Sequence, residues 1–137
     1  MATKMFVNLP VTDLKKTRAF YEALGFKFNS QFSDDTAACM VISEHNYAML
    51  LTHAKWKQFS SKPIPDAHTT AGVLVALALE SKQAVDDMVE KALKAGGKEP
   101  RPVQDYGFMI QRTFEDLDGH TWEPFFMDPS HVQTSST

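Results

Sequence analysis

Few residues in this chain can do chemistry: five histidines, one cysteine, and a carboxylate, Glu123, set among aromatics near the end. Alternation over residues 121–127 puts Thr121, Glu123 and Phe125 on one face of a strand, with His120 and Trp122 on the other. A metal centre built on Glu123 would need further nitrogen or oxygen donors converging at about 2 Å. His45, His53 and His68 fall in turns or in the proline-broken centre of the chain, and His120 falls in a hairpin. None has ligand spacing with Glu123, so each reads as a surface residue. Cys39 sits in the apolar run Ala37-Ala38-Cys39-Met40-Val41 and reads as a buried thiol rather than a nucleophile. The plain alternative for Glu123 is an ion pair with an arginine such as Arg112 that only orders a sheet.

Periodicity gives the elements that would position these residues. Residues 5–11 form a short apolar run with Pro10 and a turn behind it, a strand. Thr12-Asp13 is a helix N-cap pair, followed by Leu14, Thr17, Phe20, Tyr21 and Leu24 at helical spacing and by Gly25 as the stop. Residues 26–29 alternate as a half-buried strand, 33–35 turn, and strands follow at 36–42 and 47–52. From 53 to 71 the pattern dissolves. Lys62-Pro63-Ile64-Pro65-Asp66 cannot be regular structure, since proline lacks a donor and restricts its neighbour. This stretch reads as a linker or lid, with Trp56 and Phe59 packing on one side of it, or equally as a disordered loop.

Order then returns. Residues 73–79 are a continuous apolar run suited to a buried strand. Ser81 caps a helix with Val85, Met88, Val89, Ala92 and Leu93 on one face, ended by Gly96-Gly97. Residues 98–104 are extended and proline-broken, as an edge strand is. A strand over 107–115, the hairpin signal Asp118-Gly119 and a last strand over 121–127 complete the set. The tail after Pro129 is polar and expected to fray.

Strand, helix and three strands therefore occur twice, as a repeat of pattern without sequence identity. The reading is α+β: a single domain with module one at about 4–53, a linker at 54–71, module two at 72–128 and a tail at 129–137. Two βαβββ modules of this kind would curl their sheets into an open, partly closed, barrel-like cleft; a sandwich without a shared cleft stays open as the alternative. At 137 residues, 43% hydrophobic and 23% charged, the chain has the size and balance of one globular domain. A net charge of −3 without a dense basic stripe argues against nucleic acid. No apolar run approaches the ~20 residues that span a bilayer. With one cysteine no intramolecular disulfide can form, and residues 1–4 lead into a strand without an apolar signal region, so the cytoplasm is the expected setting.

Two phrases carry a family resemblance. Val11-Thr12-Asp13-Leu14, followed by Ala19-Phe20-Tyr21-Glu22-Ala23-Leu24-Gly25-Phe26, resembles the opening of glyoxalase and bleomycin-resistance proteins. Phe114-Glu115-Asp116-Leu117-Asp118-Gly119-His120-Thr121-Trp122-Glu123 looks like their closing hairpin. The chain thus resembles the vicinal-oxygen-chelate superfamily, the glyoxalase/bleomycin-resistance/dioxygenase fold, over nearly its whole length. In metal-dependent members, four inward side chains from four strands hold a divalent ion that acts as a Lewis acid on two adjacent oxygens. The resemblance puts those positions at Phe6, with Asn8 on the same face, near Leu50, within residues 73–75, and at Glu123. Only Glu123 matches. One carboxylate does not hold a divalent cation against water, so no metal or other cofactor is expected; a metal would need donors supplied from elsewhere.

What the resemblance leaves is an apolar, aromatic-walled groove lined by Phe6, Asn8, Leu50, Glu123 and Phe125, with Met109 or Gln111 from the neighbouring strand. Glu123 is the titratable group expected to face it, suited to act as a general base or hydrogen-bond donor. Three classes of function follow. A metal-free protein of the bleomycin-resistance kind would bind a small organic ligand as a homodimer, without nucleic acid or membrane. A lactoylglutathione-lyase-like isomerase, or another lyase or dioxygenase, would complete its metal ligands from elsewhere. A plain scaffold would fill the groove with its own side chains, for which ten phenylalanines are available.

Overall fold

The computed structural model describes residues 2–130. Module one runs β1 (Met5–Val11), α1 (Leu14–Ala23), β2 (Lys27–Asn29), β3 (Ala37–Val41) and β4 (Asn46–Thr52). A short helix, α2 (His53–Trp56), opens the central segment. Module two runs β5 (Leu74–Ala78), α3 (Lys82–Lys94), β6 (Gln104–Asp105), β7 (Met109–Gln111), β8 (Phe114–Glu115) and β9 (Thr121–Met127). The helices start where the capping residues require. The Asp13 carboxylate accepts from Lys16 N at 3.0 Å, and the Ser81 hydroxyl accepts from Ala84 N at 3.0 Å. Gly25, at φ +100°, takes the left-handed conformation that closes α1.

Both sheets have one order, β1-β4-β3-β2 in module one and β5-β9-β7-β6 in module two, with β8 added to β9. In each, the first strand pairs parallel to the last and the rest run antiparallel. The repeat is therefore a repeat of topology, and the fold is α+β with two open sheets. The first strand of each module is a sheet edge, and β1 and β5 lie across a seam from one another.

The helices cover one face of each sheet, and the core forms there. It joins Leu9, Val11, Ala38, Met40, Ala48 and Leu50 of sheet one with Phe20 and Tyr21 of α1, Val89 and Ala92 of α3, and Phe114 and Trp122 of sheet two. Trp122 is fully buried, stacked on Phe114 at 6.3 Å and edge-on to Tyr21 at 5.6 Å. Because Tyr21 belongs to module one and Trp122 to module two, the halves share one core.

Several elements differ from the sequence reading. Residues 73–79 do not form a buried strand: Leu74, Ala76 and Ala78 are exposed, with Val75 and Leu77 half-buried. A continuous apolar run implies cover on both faces, and here α3 covers only one. The expected strand over 107–115 is two, β7 and β8, parted at Arg112-Thr113. In residues 98–104 only Lys98, bridged to Glu115, and Gln104 pair, because Pro100 and Pro102 have no donor to give. The central segment begins with the four-residue α2 rather than with irregular chain. Of the tail, Pro129 and Ser130 are described, and residues 131–137 lie outside the described residues. Among those described, no helix is long and apolar enough to cross a membrane.

Candidate functional site

Strand register settles which expected residues stand together. Phe6 and Asn8 point to the face of β1 away from the helices, opposite Tyr47 and Met49; Phe6 stacks on Tyr47 at 4.6 Å. Glu123 and Phe125 occupy the same outer face of β9, with Ala76 and Ala78 opposite on β5 and Gln111 opposite Phe125 on β7. Met109 pairs with Met127 on that face. Leu50 belongs elsewhere. It pairs with Leu9 and Ala38, is fully buried, and points into the core. The side chain that shares the face of Asn8 is Met49, and a one-residue shift moves a side chain to the other face.

The same register tests whether a divalent metal fits. The outward positions are Phe6 and Asn8, Tyr47 and Met49, Leu74 and Ala76, and Glu123. The Tyr47 hydroxyl already donates to Glu44 O at 2.9 Å. An amide and one carboxylate are not the donor set such an ion requires. Among the described residues no three His, Cys, Asp or Glu side chains form a group that could hold a metal.

Nor is Arg112 the partner of Glu123. Its guanidinium is nearly buried on the helix side and meets three carboxylates at 2.9 Å each: Glu99 by two bonds, Asp86 and Glu90. Hydrogen bonding to Glu99, then to Asp86 and Glu90, raises its pKa above the ordinary arginine range. This cluster ties α3 to sheet two at the β7–β8 break.

The two phrases that carry the resemblance meet in a latch between modules. Asp118 Oδ1 accepts from Thr12 N at 2.9 Å and Thr12 Oγ1 at 2.8 Å, and its Oδ2 accepts from Thr17 Oγ1 at 3.2 Å. Asp116 Oδ1 accepts from the backbone of Asp118 and His120, and Oδ2 accepts from the Tyr21 hydroxyl at 2.5 Å. Burial pushes the Asp116 carboxyl up and the Tyr21 phenol well up. His120 Nε2 donates to Pro10 O at 2.7 Å, which puts the ring proton on that nitrogen. His120 is thus half-buried and bound across the seam, not a surface residue.

Beside this latch the seam opens into a hollow of about 250 Å³. Leu9, Trp56, Val73 and Val75 give it apolar walls; Asn8, Thr70, His120 and Thr121 are its polar points. Its roof is the central segment, which has hydrogen-bonded turns of its own. Thr52 caps α2, and the Asp66 carboxylate and carbonyl accept from the backbone of His68, Thr69 and Thr70. At Gly119, φ is +89°, and a Cβ would come within 2.7 Å of the Ala67 backbone. Only glycine allows the strap to lie flat on the hairpin. A second hollow of about 520 Å³ adjoins the first, sharing Pro10, Pro65, Ala67 and His120 and adding His53, Lys57, His68 and Asp118.

Of the expected site residues, only Asn8 lines the seam hollow. Phe6, Met109, Gln111, Glu123 and Phe125 stand outside both hollows, on the outer sheet faces. Trp56 was legible as a packing residue of the strap, while Phe59 is exposed with Lys55 over its ring. His120 could have been found from its place directly after Asp118-Gly119, where a tight hairpin must deliver a side chain to the seam.

Two βαβββ modules latched around a seam, with helices on one side and open sheets on the other, define the glyoxalase/bleomycin-resistance/dioxygenase fold. The model of the bleomycin resistance protein-like N-terminal family matches residues 3–43. A hypothetical protein, SA1046 from S. aureus, is 28% identical with a TM-score of 0.77, covering 92% of this chain and 95% of its own. A glyoxalase-related enzyme from Fulvimarina pelagi is 16% identical with a TM-score of 0.78, covering 100% and 96%. A glyoxalase/bleomycin resistance protein/dioxygenase from Nocardioides is 20% identical with a TM-score of 0.72, covering 100% and 91%. No curated protein matches. The chain thus has the glyoxalase/bleomycin-resistance/dioxygenase fold, and its first module is similar to the bleomycin resistance protein-like N-terminal family.

Proposed function

We propose that the chain binds a small organic molecule at the seam between its modules, without a resident metal ion. The observation that carries this is the roofed hollow whose walls are Leu9, Trp56, Val73 and Val75 and whose polar points are few. Its size suits one aromatic ring with a short chain, since an apolar cavity of ~150 Å³ takes up benzene. Burying one ring, roughly 150 Å² of apolar surface, contributes on the order of 4 kcal/mol before the cost of immobilising the ligand. That is weak binding, and polar contacts must supply the rest. The lyase and dioxygenase readings need donors that the sheet faces do not supply. The homodimer implied by the resemblance is part of the proposal, with exposed Met5, Phe6, Val73 and Leu74 as apolar surface for it; sedimentation equilibrium at twice the chain mass checks it.

Tryptophan fluorescence tests the site, because Trp56 lines the hollow and Trp122 is sealed in the core. Titration with 4-nitrotoluene, a ring-sized quencher, in the presence of EDTA should quench saturably. In Trp56→Phe that saturable phase should vanish. Quenching that stays linear in both proteins contradicts a ligand site at the seam.

A further inference from the structure

We propose that His120 is a specificity-determining residue of the seam, accepting at Nδ1 a hydrogen bond from a hydroxyl carried on the ligand's aromatic ring; this rests on the seam being the ligand site. Pro10, Pro65, Ala67 and His120 line both hollows, and His120 is the one titratable side chain among them. Its imidazole therefore stands where the two spaces adjoin and borders a ring held in the smaller one.

The latch fixes the polarity of that imidazole. A carbonyl oxygen only accepts, so the 2.7 Å contact with Pro10 O requires the proton on Nε2. In the neutral ring Nδ1 is then bare and can only accept. Moving the proton to Nδ1 would set two lone pairs against each other at Pro10 and give up the bond that joins the hairpin to β1. Nδ1 itself has no hydrogen-bond partner among the described residues and is not sealed from water.

Other polar side chains of the smaller hollow set no such demand. Asn8 and Thr121 can each donate or accept, and Thr70, whose hydroxyl donates to Asp66 O at 2.8 Å, can still accept. The indole of Trp56 only donates. The hollow thus holds one side chain fixed as an acceptor, His120, and one fixed as a donor, Trp56. A hydroxyl is the smallest group that answers both, because it donates one bond and accepts another. An ether, a nitro group or a halogen brings no donor; it displaces water from Nδ1 without replacing the bond, which costs affinity.

The test titrates the full chain at pH 8 with 4-methylphenol and 4-fluorotoluene, which are alike in shape and differ in a donor, and follows the histidine ring nitrogens by long-range proton–nitrogen correlation. 4-Methylphenol should bind about fivefold more tightly, although it is the less hydrophobic of the two. The His120 ring should show Nε2 protonated and Nδ1 bare. Its Nδ1 resonance should shift with 4-methylphenol and stay in place with 4-fluorotoluene. His120→Phe should bring 4-methylphenol down to the level of 4-fluorotoluene; if that variant does not fold, the ring resonance of the parent protein decides alone. Equal affinity for the two probes, a preference that survives His120→Phe, or an Nδ1 resonance unmoved by 4-methylphenol overturns the role of His120 while leaving the seam site standing. If neither probe binds, both fall.

Discussion

Leu50 and Glu123 were expected on one groove wall, and the structure puts them in opposite environments. Leu50 is fully enclosed between β1, β3 and the helices. Truncation to alanine should therefore cost about 2–5 kcal/mol, the usual penalty for a core cavity. Glu123 is half-buried on the outer face opposite Ala76, with Arg112 engaged elsewhere. Glu123→Gln should change stability by less than about 0.5 kcal/mol. Urea denaturation of both variants checks the pair. A large cost for Glu123→Gln would mean that it holds the sheet after all. The slip at Leu50 has a simple physical origin. Every residue of Met49-Leu50-Leu51 is apolar, so hydropathy does not say which face each takes, whereas Asn8 and Glu123 mark their faces by polarity.

Among the elements, the hairpin of residues 116–120 does the most work, and its acid has a measurable pH signature. Burial raises the folded-state pKa of Asp116 above that of a free aspartate. The folded protein then holds that proton more tightly than the unfolded chain. Its contribution to stability is fully present below about pH 4 and is lost as pH rises through the raised folded value. Asp116→Asn should flatten that decline relative to the parent protein, as read by thermal unfolding across pH 3–7; an unchanged slope would remove Asp116 as its source. Gly119→Ala should also destabilise, by about 1–3 kcal/mol, because positive φ and the Ala67 backbone both oppose a Cβ. Differential scanning calorimetry measures it. The helix caps at Asp13 and Ser81 and the Asp118-Gly119 turn were legible because each is a local, strongly typed signal. The exposure of β5 was not, since sequence shows that residues 73–79 are apolar but not that only one layer of helix covers them. The strap was legible only as irregular chain; that it lies on Gly119 is a long-range contact with no local mark.

At the scale of the whole molecule, the repeat and its topology were readable from the order of strand and helix signals, and the shared core was not. Phe20 and Tyr21 in one module pack with Phe114 and Trp122 in the other, and the latch at Asp116 and Asp118 spans about a hundred residues. The modules should therefore unfold together, with calorimetric and van't Hoff enthalpies in agreement. Two separated transitions would show that each half stands alone. A shared core also explains how a hollow can lie at the seam: the modules are fixed to each other on the helix side, while β1 and β5 leave their edges unpaired beside the strap.

On the proposed function, ligand is held beneath the strap and not on the outer wall around Glu123. Amide shift mapping with 4-nitrotoluene in EDTA decides between the two places. Binding beneath the strap gives perturbations centred on Trp56, Val75, Gly119 and His120, undiminished by the chelator. Perturbations centred on Glu123, Phe125 and Met109, and abolished by the chelator, would contradict it.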